Sequence, residues 1–231
     1  MTKQIPWLRV LLEGLVIVSS ILLAFGIDAW WENVKDGRSE AAYLSRLEAD
    51  LRVDLSEWDG QGPVLSLKQA ALDRALSWIQ APDEAPQAID QLLEDLAQGT
   101  IFAYEGGFVA QSATFDELIS SGTLGLLSPE VRTALQNYYR LVETHRARLA
   151  ARQTGFAPAM YGLIPRESEF IVLEGLDESY KARVAEQILT SNIEALVIAE
   201  RNRGRARQGA IETVLEQAQA VVDLLVAGRS K

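Results

Sequence analysis

Few residues in this chain have side chains suited to covalent or metal chemistry. Cysteine is absent and His145 is the only histidine, which excludes disulfides, thiolate nucleophiles and metal centres built on cysteine. A catalytic histidine needs an orienting group and a reaction partner, and no spacing around His145 supplies them. We therefore interpret His145 as a surface or interface residue of a helix.

The sequence contains none of the common catalytic motifs. A phosphate-binding GxxxxGK[ST] loop, a GxGxxG fingerprint, an HExxH motif and a GxSxG motif are all absent. Asp50, Asp54 and Glu57 share one side of a predicted helix, but they lack the glycine and the ligand rhythm of a calcium loop. We predict that the protein is not an enzyme and binds no metal or cofactor. The alternative to this prediction is a hydrolase or a metal-dependent enzyme whose site contains no known motif.

The composition is that of an ordered, acidic protein. The chain has 231 residues, of which 48% are hydrophobic and 23% are charged, and such proportions are typical of folded proteins. Its formal net charge is −10, from 22 basic and 32 acidic residues. A protein of this charge repels phosphates, so we predict no interaction with nucleic acid.

The first element that positions the rest of the chain is an apolar helix. Residues 10–31 form a hydrophobic segment whose stretch from Gly14 to Ile27 carries no charge. The 22 residues of this segment span about 33 Å as a helix, enough to cross the hydrocarbon core of a bilayer. Tryptophans flank the segment where interfacial aromatic anchors are typical, and they are Trp7, Trp30 and Trp31.

The sequence leaves three interpretations of this segment open. A cleaved signal peptide is suggested by the basic residues Lys3 and Arg9 and by the small-residue motif that begins at Ala24. A buried core helix is the second interpretation, although no polar face accompanies the apolar run. We favour the third, an uncleaved transmembrane anchor over residues 1–34 that carries a helical extramembrane domain over residues 35–231.

The orientation of the segment is predicted from the basic residues on its two sides, which are nearly equal in number. Lys3 and Arg9 precede the segment together with the terminal amine, and Lys35 and Arg38 follow it closely. We predict a single-pass protein of the bacterial inner membrane, with the N-terminus in the cytoplasm and the helical domain in the periplasm.

One face of the apolar helix differs from the others. Five positions at a spacing of three or four residues fall within an arc of about 80°, and they are Glu13, Ile17, Ser20, Ala24 and Asp28. Ser20 and Ala24 form a small-xxx-small pair, which allows another helix to approach closely. We interpret this stripe as the contact with a transmembrane helix of a partner or of a second copy. Alternatively, the two carboxylates simply reach the membrane interfaces.

Hydrophobic periodicity predicts an all-α, bundle-like extramembrane domain. Leucines at helical spacing indicate a helix over 38–58, which can continue from the membrane helix and which Gly60 and Gly62 close. Local signals predict other helix ends: Thr114 and Glu117 fit a capping box, Gly122 suits a left-handed stop, and Ser128 precedes Pro129 as an N-cap. Further helices are predicted over 63–80, 87–98, 129–153, 177–190 and 191–227, with a loop at 100–110 and an irregular stretch at 155–165.

Three motifs follow one another in the first part of the chain. GIDAWWE ends the apolar segment, YLSRLEADLRVD lies in the first domain helix, and FDELISSGTLGLL precedes a helix with two adjacent tyrosines. This order resembles a bacterial family of N-terminally membrane-anchored helical proteins of unknown function. The resemblance covers roughly residues 10–140. It implies the architecture, but it implies neither an activity nor any functional residue.

Charge is unevenly divided along the chain. Residues 40–130 contain 16 acidic and 4 basic residues, whereas residues 131–231 contain 12 acidic and 14 basic residues. We interpret the basic clusters of the second half as solvated side chains that pair with nearby acids. The alternative is that these clusters contact anionic lipid headgroups or an acidic partner. The clusters are Arg140, Arg146, Arg148 and Arg152 with His145, and then Arg201, Arg203, Arg205 and Arg207.

These features favour an interaction protein over a catalyst. We predict a scaffold or accessory subunit of a larger membrane complex, or a homo-oligomer, whose partners are the bilayer and a membrane protein or a second copy. The alternative is a sensory or ligand-binding helical domain that signals through a partner. That alternative predicts a pocket with a few converging polar groups.

Overall fold

The described part of the protein is all-α apart from one pair of two-residue strands. A computed structural model describes residues 7–81, 89–101, 109–164, 166–167, 170–171 and 173–229, with the backbone alone at 7–10, 166–167 and 170–171. The helices are α1 (Trp7–Asp59), α2 (Gln61–Gln80), α3 (Ile89–Gly99), α4 (Ala113–Ser120), α5 (Pro129–Ala151), α6 (Phe156–Leu163), α7 (Glu178–Thr190) and α8 (Ile193–Arg229), with a 3-10 turn at Thr123–Leu126 and paired strands at Arg166–Glu167 and Phe170–Ile171.

The N-terminal part of the chain is a nearly uninterrupted helical rod. Helix α1 crosses the predicted domain boundary at residues 34 and 35 without a break, and with α2 it forms a helical run of 70 residues from Leu11 to Gln80. The predicted helix boundary at Gly60 is confirmed, because α1 ends at Asp59 and α2 begins at Gln61, but the helical run continues through this position. Gly60 has right-handed φ and ψ of −60° and −22°, and its N–H bonds to the Ser56 carbonyl. The rod continues because α8 packs against both α1 and α2, on either side of Gly60.

Helix α8 runs antiparallel to this rod and contributes to both apolar clusters of the domain. Arg229 near its C-terminal end pairs with Glu48 of α1, whereas Glu194 near its N-terminal end accepts a hydrogen bond from Gln80 of α2. The proximal cluster, nearer the apolar segment, packs α8 against α1, α4 and α5, and the distal cluster packs α8 against α2, α3, α6 and α7. Representative buried residues are Leu47, Trp58, Leu135 and Val222 in the proximal cluster, and Leu72, Leu93, Phe156 and Ile188 in the distal cluster.

Local signals predicted two helix boundaries correctly and one incorrectly. Gly122 has a φ of +72°, and Ser128 accepts a hydrogen bond from the Val131 amide at the start of α5. The capping box is wrong, because Thr114 lies inside α4 with 3% of its surface exposed. The Glu117 carboxylate accepts hydrogen bonds from side chains of α1 instead of capping the backbone. A tertiary contact between α4 and α1 therefore replaces the predicted local bond.

The stretch predicted to be irregular, residues 155–165, contains helix α6. Pro158 lies in the first turn of this helix, where its missing N–H has no intrahelical acceptor to bond. Phe156 and Met160 are fully buried in the distal cluster, so packing rather than local propensity supports this short helix. The predicted loop at 100–110 lies mostly outside the described residues.

Candidate functional site

The apolar segment of α1 is exposed along its whole described length. An 18-residue window within it has a mean hydropathy of 2.0, and none of this window is buried against the rest of the chain. Leu15 and Phe25 are each 67% exposed. A core helix buries its apolar side chains against the rest of the domain, and this segment does not. The interpretation of the segment as a buried core helix is therefore wrong. A membrane anchor and a signal sequence both match an exposed apolar helix near the N-terminus.

The five stripe positions lie on one unbroken helix, so their spacing along the sequence holds in three dimensions. All five are exposed, and they are Glu13, Ile17, Ser20, Ala24 and Asp28. The Ser20 hydroxyl donates a hydrogen bond to the Val16 carbonyl at 2.8 Å. This bond satisfies the hydroxyl within its own helix, so Ser20 adds a small side chain to the stripe at little desolvation cost in lipid.

The predicted aromatic anchors sit at the two ends of the apolar segment. Trp30 and Trp31 are 62% and 58% exposed, and their ring centroids lie 6.3 Å apart. They are the last two residues of the apolar segment. Trp7 is the first residue of α1, and its side chain lies outside the described residues. Exposed indole rings at this position match the membrane-interface role predicted for them.

A buried charged layer crosses the domain between α2 and α8. Lys68 and Glu200 are 1% and 0% exposed, and Nζ of Lys68 lies 2.5 Å from Oε1 of Glu200. Lys68 also donates to the Ile101 carbonyl at 2.7 Å, and the Thr154 hydroxyl donates to the second Glu200 oxygen. Burial lowers the pKa of Lys68, and the attraction of Glu200 opposes this shift. The ion pair of Lys68 and Glu200 thus links four segments, with Ile101 bonded to the ammonium group and Thr154 to the carboxylate.

Two arginines of α8 extend this layer. Arg203 lies 3.5 Å from Oε1 of Glu200, and Arg207 donates to Oε1 of Gln61 at 2.8 Å. Arg203 and Arg207 are only 5% and 2% exposed. A lipid or acidic-partner contact needs accessible side chains, so that prediction is wrong for these two residues.

The other two members of the second basic cluster pair with one carboxylate. Arg201 and Arg205 lie 3.2 Å and 3.6 Å from Oδ1 of Asp73 on α2. This arrangement agrees with the interpretation of paired surface arginines. The buried layer was hard to predict from the sequence, because Lys68 and Glu200 are 132 positions apart. The single signal was the position of Lys68 at helical spacing between Leu65 and Leu72, on the apolar face of α2.

A second buried carboxylate joins the proximal cluster to the segment before α4. Asp54 is fully buried and accepts hydrogen bonds from the Tyr138 hydroxyl at 2.7 Å and the Gln111 amide at 2.8 Å. Burial raises the pKa of Asp54, while these two hydrogen bonds oppose the shift. Burial and the bond to Asp54 also raise the pKa of Tyr138. Among the described residues no three potential metal ligands converge, and Asp54 serves as a structural acceptor.

His145 lies half-buried on α5, facing α8, beside Arg148. Burial lowers its pKa, and the positive charge of Arg148 lowers it further, so the imidazole is neutral at neutral pH. This location fits the predicted interface position on a helix.

Comparisons with known proteins give no relative of this chain. No protein-family model, no curated protein and no solved structure matches it. The resemblance to an anchored bacterial family therefore stays a prediction, and the functional argument depends on the geometry of α1 and of the bundle.

Proposed function

We propose that this protein is a single-pass, membrane-anchored helical protein of the bacterial inner membrane. It acts through protein–protein contacts, as an accessory subunit of a membrane complex or as a homo-oligomer. One observation carries the proposal: α1 exposes an apolar surface in its first half and is a core element of the bundle in its second half. A contact made in the bilayer is therefore connected to the bundle by continuous helix.

The junction between the two halves of α1 is a charged, solvent-exposed spacer. Between Trp31 and Leu44, the first fully buried residue of the rod, lie residues such as Lys35, Asp36 and Arg38, all of them exposed. Thirteen residues of helix correspond to about 20 Å. With Trp31 at the membrane interface, this spacer holds the bundle clear of the lipid headgroups and leaves its sides accessible to partners.

The stripe supplies the surface for lateral association. Small residues at Ser20 and Ala24 permit close backbone approach, and Glu13 and Asp28 place carboxylates near the two ends of the same face. An intramembrane carboxylate is most stable when it faces protein or water. These properties favour a helix–helix contact over a face turned fully to lipid.

Anchoring is tested by extraction of native membranes at alkaline pH followed by intact-mass measurement. We expect the full-length chain to remain in the membrane pellet and to require detergent for release. Recovery of a product shortened by about 25 residues in the aqueous wash would instead identify the segment as a signal sequence, and the proposal would be wrong.

The lateral contact is tested by Ser20→Leu combined with Ala24→Leu, measured as recovery of the cross-linked oligomer or complex from mild detergent. We expect about a ten-fold loss if the contact is worth on the order of 1–2 kcal/mol, the value known for interhelical hydrogen bonds in membranes. The matched control is Ser19→Leu with Gly26→Leu, because these small residues lie about 140–160° from the centre of the stripe. Equal recovery of both double variants would contradict the stripe as a contact.

Orientation is tested by adding protease to spheroplasts. A periplasmic bundle is digested from outside, whereas a bundle in the cytoplasm stays intact until the cells are lysed. Protection in spheroplasts would reverse the proposed topology while leaving the anchor in place.

A further inference from the structure

A cavity of about 280 Å³ opens between α5 and α8, and none of its lining residues belongs to the buried charged layer. Helix α5 supplies its charged wall, and Leu149 supplies part of its apolar floor. The opposite wall is formed by Ala206, Gly209 and Ala210, whose small side chains leave the space open. The charged wall consists of His145 and Arg148 on α5 and of Arg152, the residue that follows the last residue of this helix.

The arginines of this wall have no ion-pair partner among the residues that the structure describes. In the part of the chain that the structure describes, no carboxylate lies within ion-pair distance of Arg148 or Arg152. Their neighbour Arg146, by contrast, pairs with Glu143 at 2.9 Å on the outer side of α5. Two guanidinium groups without a described carboxylate partner are a local exception in a protein with a net charge of −10.

We propose that this cavity, hereafter the α5–α8 pocket, binds a small phosphate-bearing anion. Guanidinium groups present planar pairs of donors that match phosphate oxygens, and His145 adds a third donor when it is protonated. The volume of about 280 Å³ lies just below the range for ligand sites, which begins at about 300 Å³. It suits inorganic phosphate or a phosphate on a small organic group better than a nucleotide.

The position of the pocket favours a dissolved anion over a lipid headgroup. Ala206 and Ala210 of α8 lie about 20 residues from Arg229, the end of α8 that pairs with Glu48. These residues span about 30 Å along α8, and the spacer between Leu44 and Trp31 adds about 20 Å. The pocket is thus about 50 Å from the apolar segment along the rod, beyond the reach of headgroups around that segment.

His145 provides a direct readout, because it is the only histidine in the chain. Its ring carbons give a single pair of signals in an untagged full-length protein labelled with 13C-histidine in detergent. A phosphate held beside the imidazole stabilises the charged form, so inorganic phosphate is expected to raise the pKa of His145 in a saturable manner. Chloride at equal ionic strength is expected to produce no saturable change.

Variants distinguish a built pocket from general charge attraction. Arg148→Ala or Arg152→Ala should weaken phosphate binding at least about ten-fold, since each removes charge-assisted hydrogen bonds. Gly209→Leu should also weaken it, because the new side chain fills the cavity without removing a charge. The matched control Arg146→Ala removes the same charge from the outer side of the helix and should leave binding unchanged.

Three results would overturn the proposal. The first is a response of His145 to phosphate that does not saturate or that chloride reproduces. The second is equal phosphate binding by Arg148→Ala and Arg146→Ala. The third is a defect of Arg148→Ala that appears only with phosphatidylglycerol nanodiscs and not with inorganic phosphate, which would identify a lipid headgroup as the ligand. None of these outcomes depends on whether the apolar segment anchors the chain.

Discussion

The close approach of α2 and α8 predicts opposite effects for the same substitution at two glycines of α8. A Cβ at Gly204 would lie 1.8 Å from Nε2 and 3.1 Å from Cδ of Gln69, whereas a Cβ at Gly209 would have no neighbour within 4 Å. Gln69 is only 9% exposed, so its amide can leave this position only if the buried side chain changes its rotamer. Gly204→Ala is therefore expected to destabilise the bundle, and Gly209→Ala is expected to stabilise it.

The magnitude follows from the difference between the two variants. Both gain up to about 1 kcal/mol because alanine favours helix over glycine and restricts the unfolded chain. Only Gly204→Ala incurs the cost of overpacking, about 1–3 kcal/mol. The two variants should therefore differ by about 1–3 kcal/mol, which corresponds to roughly 2–12 °C in Tm for a chain of this size. Thermal unfolding of the full chain in mild detergent, followed by circular dichroism, measures this difference.

A second substitution identifies the steric cause. In the Gln69→Ala background the colliding amide is gone, so Gly204→Ala should lose its penalty and behave like Gly209→Ala. The double-mutant cycle then gives a coupling free energy close to the overpacking cost. Equal melting temperatures for the two single glycine variants, or a penalty that persists without Gln69, would refute the proposed packing of α2 against α8.

Two further predictions concern the buried carboxylates. Glu200→Gln leaves Lys68 without its ion-pair partner and should lower the free energy of unfolding, measured in urea, by about 3–5 kcal/mol. Glu143→Gln breaks an exposed ion pair and should lower the same free energy by about 0–1 kcal/mol. Similar losses would contradict the burial of the layer. Burial raises the pKa of Asp54 above its ordinary value of 3.8, so the native state retains a proton that the unfolded state releases. Stability should fall as pH rises from below 3.8 through the raised pKa, and Asp54→Asn should lack this fall when unfolding is measured across pH. An identical pH profile would refute the argument.

Sequence reasoning succeeded where the cause is local. The uncharged run from Gly14 to Ile27 and the helical spacing of leucines predicted an all-α chain with one long apolar helix near its N-terminus. Gly122 and Ser128 predicted helix ends correctly because a left-handed φ and an N-cap bond involve only neighbouring residues. Periodicity and backbone geometry need no knowledge of distant elements.

The tertiary structure alone decided which charged residues are buried and which partners they have. Glu117 fits a local cap in sequence, but Arg46 on α1 binds its carboxylate in the fold. The sequence predicted that Arg203 and Arg207 lie at the surface, but the packing of α2 against α8 buries them. The exposure of a side chain and the identity of its ion-pair partner depend on which helices meet, and those contacts join residues from 71 to 146 positions apart.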